Sequence, residues 1–420
     1  MGGSGRSSDI VSLRDTLGFR EQKESRWRRW KWRVAIALTI QAIMVGAAIG
    51  TAYVGSSATL TTNTAFVKVT PQWQQLSPAS SPSPRAGFSM AYDAVDGYVL
   101  LFGGYGGSYD GDTWKYQGGV WTELETADIG TTCYTNPPTD TTTGPCPSPR
   151  YIASMAFSAK DGAVILYGGY SGTSTLSDTW AWSLGAWFQL TTTGNPPALQ
   201  NAAMVSMAGQ PSAYWSCGGG VMLYGGYDGT ADTGQTWCLW YNSGAATPSW
   251  TWGKACYTTS ATAPCGPGDM EGEGIVNDYS TGRNILFGGY QSGTDIQNTW
   301  KFYCNSCSTS YWYESATTGP AIRDGMGFAY DFGDGYPLLF GGDSDNAGSC
   351  STLQDTWKVT GGNTWTQITT GGTPPPARAY FSMVYDKYDG YILLFGGATE
   401  ASTCGFSTYF GDTWIYGYPR

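Results

Sequence analysis

Along most of the chain, stretches in which apolar and polar positions alternate are followed by short runs that are wholly apolar. In the first instance Arg85-Ala86-Gly87-Phe88-Ser89-Met90-Ala91-Tyr92-Asp93 alternates, Asp96-Gly97 follows, and Tyr98 to Phe102 leads into Gly103-Gly104. Period-two alternation reads as a half-buried strand, the apolar run as a buried strand, and Asp-Gly between them as a tight hairpin turn. The turn recurs at Asp161-Gly162, Asp334-Gly335 and Asp389-Gly390, and the Gly-Gly pair at Gly168-Gly169, Gly225-Gly226, Gly288-Gly289, Gly341-Gly342 and Gly396-Gly397, 53 to 65 residues apart. After each pair comes a Thr-Trp dipeptide, with Trp114, Trp180, Trp237, Trp300, Trp357 and Trp414. A second tryptophan follows 7 to 13 residues later at Trp121, Trp187, Trp250, Trp312 and Trp365. The sixth repeat has none, and Trp73, in Gln72-Trp73-Gln74-Gln75-Leu76, supplies the missing copy.

Each repeat thus predicts four short antiparallel strands, a to d, over 85–125, 150–191, 200–254, 270–315, 323–369 and 378–417. Six such sheets around an axis make an all-β, six-bladed β-propeller. The strand at 72–77 is expected to close the last blade by pairing the two chain ends, which removes the exposed edge. Gly-Gly after strand b, with spaced tryptophans in c and d, resembles the kelch-repeat family over about Gln72 to Arg420. The resemblance implies a kelch propeller that binds ligands through its loops. Some kelch relatives, similar to galactose oxidase, are copper radical enzymes whose copper is held by histidines. This chain has no histidine, so no cofactor is expected, and Ser-His-Asp, Cys-His and His-zinc chemistry is excluded. One string, Thr230-Ala231-Asp232-Thr233-Gly234-Gln235-Thr236-Trp237, resembles a sialidase Asp-box, but it occurs once and the repeat already explains its tryptophan.

The net charge of −10 is unevenly placed. Residues 1–33 carry nine Lys/Arg against four acids, leaving 13 basic and 28 acidic residues after them. So acidic a domain lacks the basic stripe that nucleic acid requires. Residues 34–54, Val34 to Val54, are uncharged and long enough to span a bilayer, and the Arg/Trp-rich segment before them is expected to stay cytoplasmic. The expectation is a single-pass cell-membrane protein with a Ser/Thr-rich linker over 55–71 and an extracellular propeller over 72–420. A signal peptide cleaved near Gly50-Thr51-Ala52 or Ser56-Ser57-Ala58 is the alternative. Ala42, Gly46 and Gly50 form a small-residue row that could pair such helices into a homo-oligomer, although small residues are common in membrane segments.

All ten cysteines lie in the exported part, which reads as disulfide usage. Cys133 with Cys146 and Cys256 with Cys265 close matching d–a loops. Cys350 and Cys404 occupy neighbouring b–c loops, and Cys304 and Cys307 share a c–d turn. Cys217 and Cys238 are left over, and strand direction also brings Cys238 near Cys256.

Alternation of direction puts the b–c and d–a connections on one face, opposite the chain's point of arrival, and these are the longer and more varied loops. Loops on a rigid scaffold carry recognition, so ligand-binding candidates are the aromatics there: Tyr105, Tyr170, Tyr227 and Tyr290 after Gly-Gly, with Tyr109, Tyr134, Tyr257, Phe406, Tyr409 and Phe410. Arg85, Arg150, Arg323 and Arg378 begin strand a and could ring the same face as an anion site. Blades three and four have Gln200 and Met270 instead, and they also lose the Asp before Thr-Trp (Asp112, Asp178, Asp355 and Asp412), which becomes Gln235 and Asn298. Joint loss predicts Arg–Asp ion pairs within each blade. Asp343 to Gly348 partly resembles a calcium loop but lacks a fifth-place oxygen ligand and the distal Glu, so no metal is expected. The partner implied is an extracellular protein or glycan bound without catalysis. The rivals are a carbohydrate-active enzyme using outer-face carboxylates and a structural subunit of a surface assembly.

Overall fold

Strand a, whose small and apolar side chains alternate, is the innermost strand of every blade: Ser89–Asp93, Ser154–Ser158, Ala203–Ser206, Gly274–Asp278, Gly327–Asp331 and Ser382–Asp386. In the computed structural model each packs on strand a of the blades on either side, and the six close a ring around an axis. The structure describes residues 70–125, 133–135, 143–208, 220–242, 249–255, 266–303, 310–315, 319–345, 350–369, 371–401 and 405–418. Strand b follows at Tyr98–Tyr105, Ala163–Tyr167, Val221–Tyr224, Arg283–Phe287, Tyr336–Phe340 and Tyr391–Phe395. It is buried almost throughout because both faces pack on neighbouring blades. Strand c is Tyr109–Gln117, Thr179–Ser183, Thr236–Asn242, Thr299–Tyr303, Thr356–Thr360 and Thr413–Gly417. Strand d is Val120–Glu125, Ala186–Gln189, Ser249–Lys254, Tyr311–Glu314, Thr364–Gln367 and, from the other chain end, Gln72–Leu76. The last of these pairs antiparallel with Thr413–Gly417, Trp73 opposite Tyr416, and closes blade six.

The hairpin turns follow their sequence. Gly97 at φ +78° donates its N–H to Asp93 O at 2.8 Å, and Gly162, Gly335 and Gly390 repeat the contact. The tryptophan pattern also has a physical cause. Each d-strand indole crosses to the blade before it and donates to the threonine of that blade's Thr-Trp pair. Trp121 reaches Thr413, Trp187 reaches Thr113, Trp312 reaches Thr236, Trp365 reaches Thr299 and Trp73 reaches Thr356, all at 2.9–3.1 Å. In blade three the indole is that of Trp252, bonded to Thr179 at 3.1 Å and 1% exposed. The expectation of Trp250 is corrected: it pairs with Tyr241, two residues before Trp252 on the same strand, and is only half-buried.

Cys133 and Cys146 are bridged as expected. The strand Cys133–Thr135 lies parallel against Ala186–Gln189, so the long loop after blade one is fastened along the outer edge of blade two. Cys350 is disulfide-bonded. Cys217, Cys256, Cys265, Cys304, Cys307 and Cys404 lie outside the described residues, as does the expected span 34–54. No helix among the described residues is long and apolar enough to cross a membrane.

Candidate functional site

Two residues before each strand a, on the b–c and d–a face, stand Gly87, Ile152, Asn201, Gly272, Gly325 and Tyr380. All six have φ between +48° and +70°. The left-handed backbone turns every N–H tangentially, and the N–H of each donates to the carbonyl of a ring neighbour: Gly87 to Tyr380, Ile152 to Gly87, Asn201 to Ile152, Gly272 to Asn201, Gly325 to Gly272 and Tyr380 to Gly325, at 2.6–3.0 Å. Six blades thus share one closed cycle of hydrogen bonds around the axis. Three members carry side chains in a conformation that glycine tolerates best, and β-branched Ile152 is the most strained of them. Below the ring lies a cavity of about 140 Å³, lined by these six residues and the six that follow them.

The glycines of the ring make room for the side chains over the axis. A Cβ on Gly87 would lie 2.0 Å from the Tyr151 ring, one on Gly272 2.9 Å from Asp324 Oδ2, and one on Gly325 3.0 Å from the Tyr380 ring. The Tyr380 hydroxyl donates to Asp324 Oδ2 at 2.6 Å, and the Asn201 amide donates to Glu271 Oε2 at 3.1 Å. Asp324 is 6% exposed and its Oδ1 has no hydrogen-bond partner. Burial, then repulsion from Asp295, pushes its carboxyl far above the ordinary range. The result is a central patch of two tyrosines, an amide and two carboxylates, with neither carboxylate paired to an arginine among the described residues.

An aromatic net runs outward from this patch across blades six, one and two. Tyr380 meets Phe406 (5.3 Å between centroids), Phe406 meets Tyr409 and Tyr151, Tyr105 meets Tyr409, Tyr151 and Tyr109, and Tyr109 meets Tyr170 at 6.0 Å. Five candidates, Tyr105, Tyr109, Tyr170, Phe406 and Tyr409, therefore come together, each half-buried. Tyr227 and Tyr290 hold the same backbone position in blades three and four, outside the net. Tyr257 and the side chain of Tyr134 lie outside the described residues. The sequence reading missed Tyr151, Asn201, Glu271, Asp324 and Tyr380. Their signal was their place, one or two residues after the position at which strand a's arginine stands.

The arginines do not line an open mouth. Arg85, Arg150, Arg323 and Arg378 are 0–1% exposed, and each forms a bidentate pair with Asp112, Asp178, Asp355 or Asp412 at distances up to 2.9 Å. Their remaining donors go to backbone carbonyls and, for Arg85 and Arg150, to Ser83 and Ser148, so no guanidinium hydrogen of these two is left for a ligand. The expected joint loss is explained, with one correction. The blade-three equivalent is Leu199, whose carbonyl accepts from Gly169 as Arg150's does from Gly104; Gln200 is the next residue. A second axial cavity of about 400 Å³ opens at the a–b end, lined by methionines, alanines and aromatics. It offers little to orient a polar ligand.

Stability should peak on the acid side of neutrality. Burial raises Glu273 far above the usual carboxylate range and lifts Asp331 to about 6 and Asp386 to about 7, helped by the neighbouring Asp334 and Asp389. A carboxyl whose folded value lies above its unfolded one stabilises the fold most below the unfolded value, near pH 4, and loses that contribution as pH rises through the folded value. For Asp178, Asp355 and Asp412, burial pulls upward but the guanidinium bonds outweigh it and hold them low. Their contribution is present above about pH 4 and fades below it. Thermal unfolding followed from pH 3 to pH 9 should therefore give a dome with its maximum between these ranges. A midpoint that climbs steadily to pH 8 contradicts it.

No family model matches the chain, and no curated protein matches it. Among solved structures it is similar to YjhT, with a TM-score of 0.52 and 15% identity, over 80% of this chain and 95% of that one. A likeness at that identity carries the fold alone, a β-propeller, and the strand topology of this chain gives it six blades.

Proposed function

We propose that the chain is a kelch-type propeller, anchored in the cell membrane by residues 34–54 and displayed outside the cell, that binds a glycan or protein ligand on its b–c and d–a face without turning it over. The observation that carries this reading is the aromatic net from Tyr170 to Tyr380, ending on Asn201, Glu271 and Asp324. Aromatic faces stack on the apolar side of a sugar or anchor a partner's side chains, while a few convergent polar groups fix orientation. The strand Gln72–Leu76 begins beside Gly417, at the c–d end of blade six and away from the proposed binding face.

The experiment is a glycan-array and surface-protein capture screen with the full chain in mild detergent. Tyr105→Ala with Tyr409→Ala should reduce capture by about 10-fold or more, as loss of buried aromatic anchors does. Tyr388→Ala, exposed on the opposite face, should leave capture unchanged, and the reverse pattern refutes the reading.

One observation favours a carbohydrate-active enzyme as second reading. Asp324 is a buried carboxyl pushed well above the ordinary carboxylate range by burial, the direction a general acid requires, and Glu271 stands close enough for its charge to be felt by the same tyrosines. Turnover of a captured oligosaccharide that Asp324→Asn abolishes, with capture retained, would decide for it.

A further inference from the structure

On the same face the b–c hairpins of blades four, five and six gather carboxylates from three separate repeats. Asp295 ends the hairpin of Tyr290–Gln291 and Thr294–Asp295. Asp343 and Asp345 lie in that of Asp343–Asp345 and Cys350–Thr352, and Glu400 in that of Ala398–Glu400 and Phe406–Tyr409. The hairpins touch in sequence, blade four on five and five on six. The Asp345 backbone N–H donates to Asp295 Oδ2, and carboxylate oxygens of Asp343 and Glu400 come within 4.8 Å of each other. Asp295 and Asp343 are only 3% and 5% exposed, and Oδ1 of each has no hydrogen-bond partner. No lysine or arginine among the described residues forms an ion pair with Asp295, Asp343 or Glu400.

Carboxylates buried without a counter-charge are costly, and buried charges are normally paired or bound to a metal. The Cys350 sulfur lies within the same 4.8 Å, and a free thiol there would admit a soft metal. That sulfur is in a disulfide, so the ligands on offer are oxygens. Calcium takes six to eight oxygens at about 2.3–2.6 Å in adaptable geometry, so two of its ligands stand no more than about 5 Å apart, whereas magnesium demands a tight octahedron and keeps its waters.

We propose that Asp295, Asp343 and Glu400, together with Asp345, form a calcium site that clasps the b–c hairpins of blades four, five and six. The ligands missing from the Asp343 to Gly348 segment are supplied by the blades on either side. The site stands next to the proposed binding patch and is independent of what that patch binds.

The test uses the full chain in mild detergent at pH 7.5, stripped with EGTA and titrated with calcium chloride or magnesium chloride alone, read by calorimetry and by thermal unfolding. One calcium ion per chain should bind and raise the unfolding midpoint. Glu400→Gln and Asp295→Asn should each weaken calcium binding by about 10-fold or more, because affinity in oxygen sites follows ligand charge. Both variants should be at least as stable as the parent without calcium, since each relieves repulsion among crowded carboxylates. Absence of calcium heat overturns the proposal, as does binding of magnesium in preference. A midpoint that Glu400→Gln raises equally with and without calcium marks a cluster that merely shares protons, and also overturns it.

Discussion

Asp412→Ala should destabilise the propeller by about 3–5 kcal/mol, because it leaves the Arg378 guanidinium buried at 0% exposure without its counter-charge. Removing both charges should cost less. The chain already contains the uncharged solution twice, as Leu199 with Gln235 in blade three and Met270 with Asn298 in blade four. Arg378→Leu with Asp412→Gln copies blade three, and urea unfolding should show it recovering much of the loss. Recovery stops short because Asp412 also accepts the Trp414 indole N–H at 2.6 Å. In blades three and four, which lack the Asp, the equivalent Trp237 and Trp300 nitrogens have no hydrogen-bond partner. An indole left so is expected to keep the double variant about 1–3 kcal/mol below the parent. Equal losses in single and double variants would show that the pair's charges are not what matters.

Trp73→Ala should cost a similar amount, about 3–5 kcal/mol for a buried aromatic. Trp73 is 3% exposed, packs on Phe340 and Tyr416, and donates to Thr356. Its strand is also the one that joins the chain ends. Weakening it frees the edge of Thr413–Gly417 for pairing between molecules, so the variant should form oligomers on size exclusion well below its unfolding temperature. Trp250→Ala, on a half-buried indole outside the inter-blade series, should cost on the order of 1 kcal/mol. A larger loss at Trp250 than at Trp252→Ala would contradict the blade-three register.

Blade number and strand order were legible in the sequence because each rests on a local signal repeated six times, and ring closure because Trp73 supplies the tryptophan that the sixth repeat lacks. The Arg–Asp pairs were legible for a subtler reason: two blades lose both partners together. Blade three misled twice, at Leu199 against Gln200 and at Trp252 against Trp250, because there two chemically plausible residues stand next to or near each other and only register separates them. The central patch was hidden. Its left-handed ring uses Gly, Ile, Asn and Tyr at equivalent positions, so no residue type marks the conformation. The carboxylates of blades four to six come from hairpins more than 40 residues apart in sequence, and nothing periodic links them.

The crossed Trp–Thr bonds bear on how such a molecule can change size. Every repeat brings one indole donor for the blade behind it and one threonine acceptor for the blade ahead. Duplicating or deleting a whole repeat would therefore leave donors and acceptors equal in number, with no orphan at the new junction. Blade count is then set by the geometry of closing a circle, and the hydrogen-bond chemistry between blades is indifferent to it.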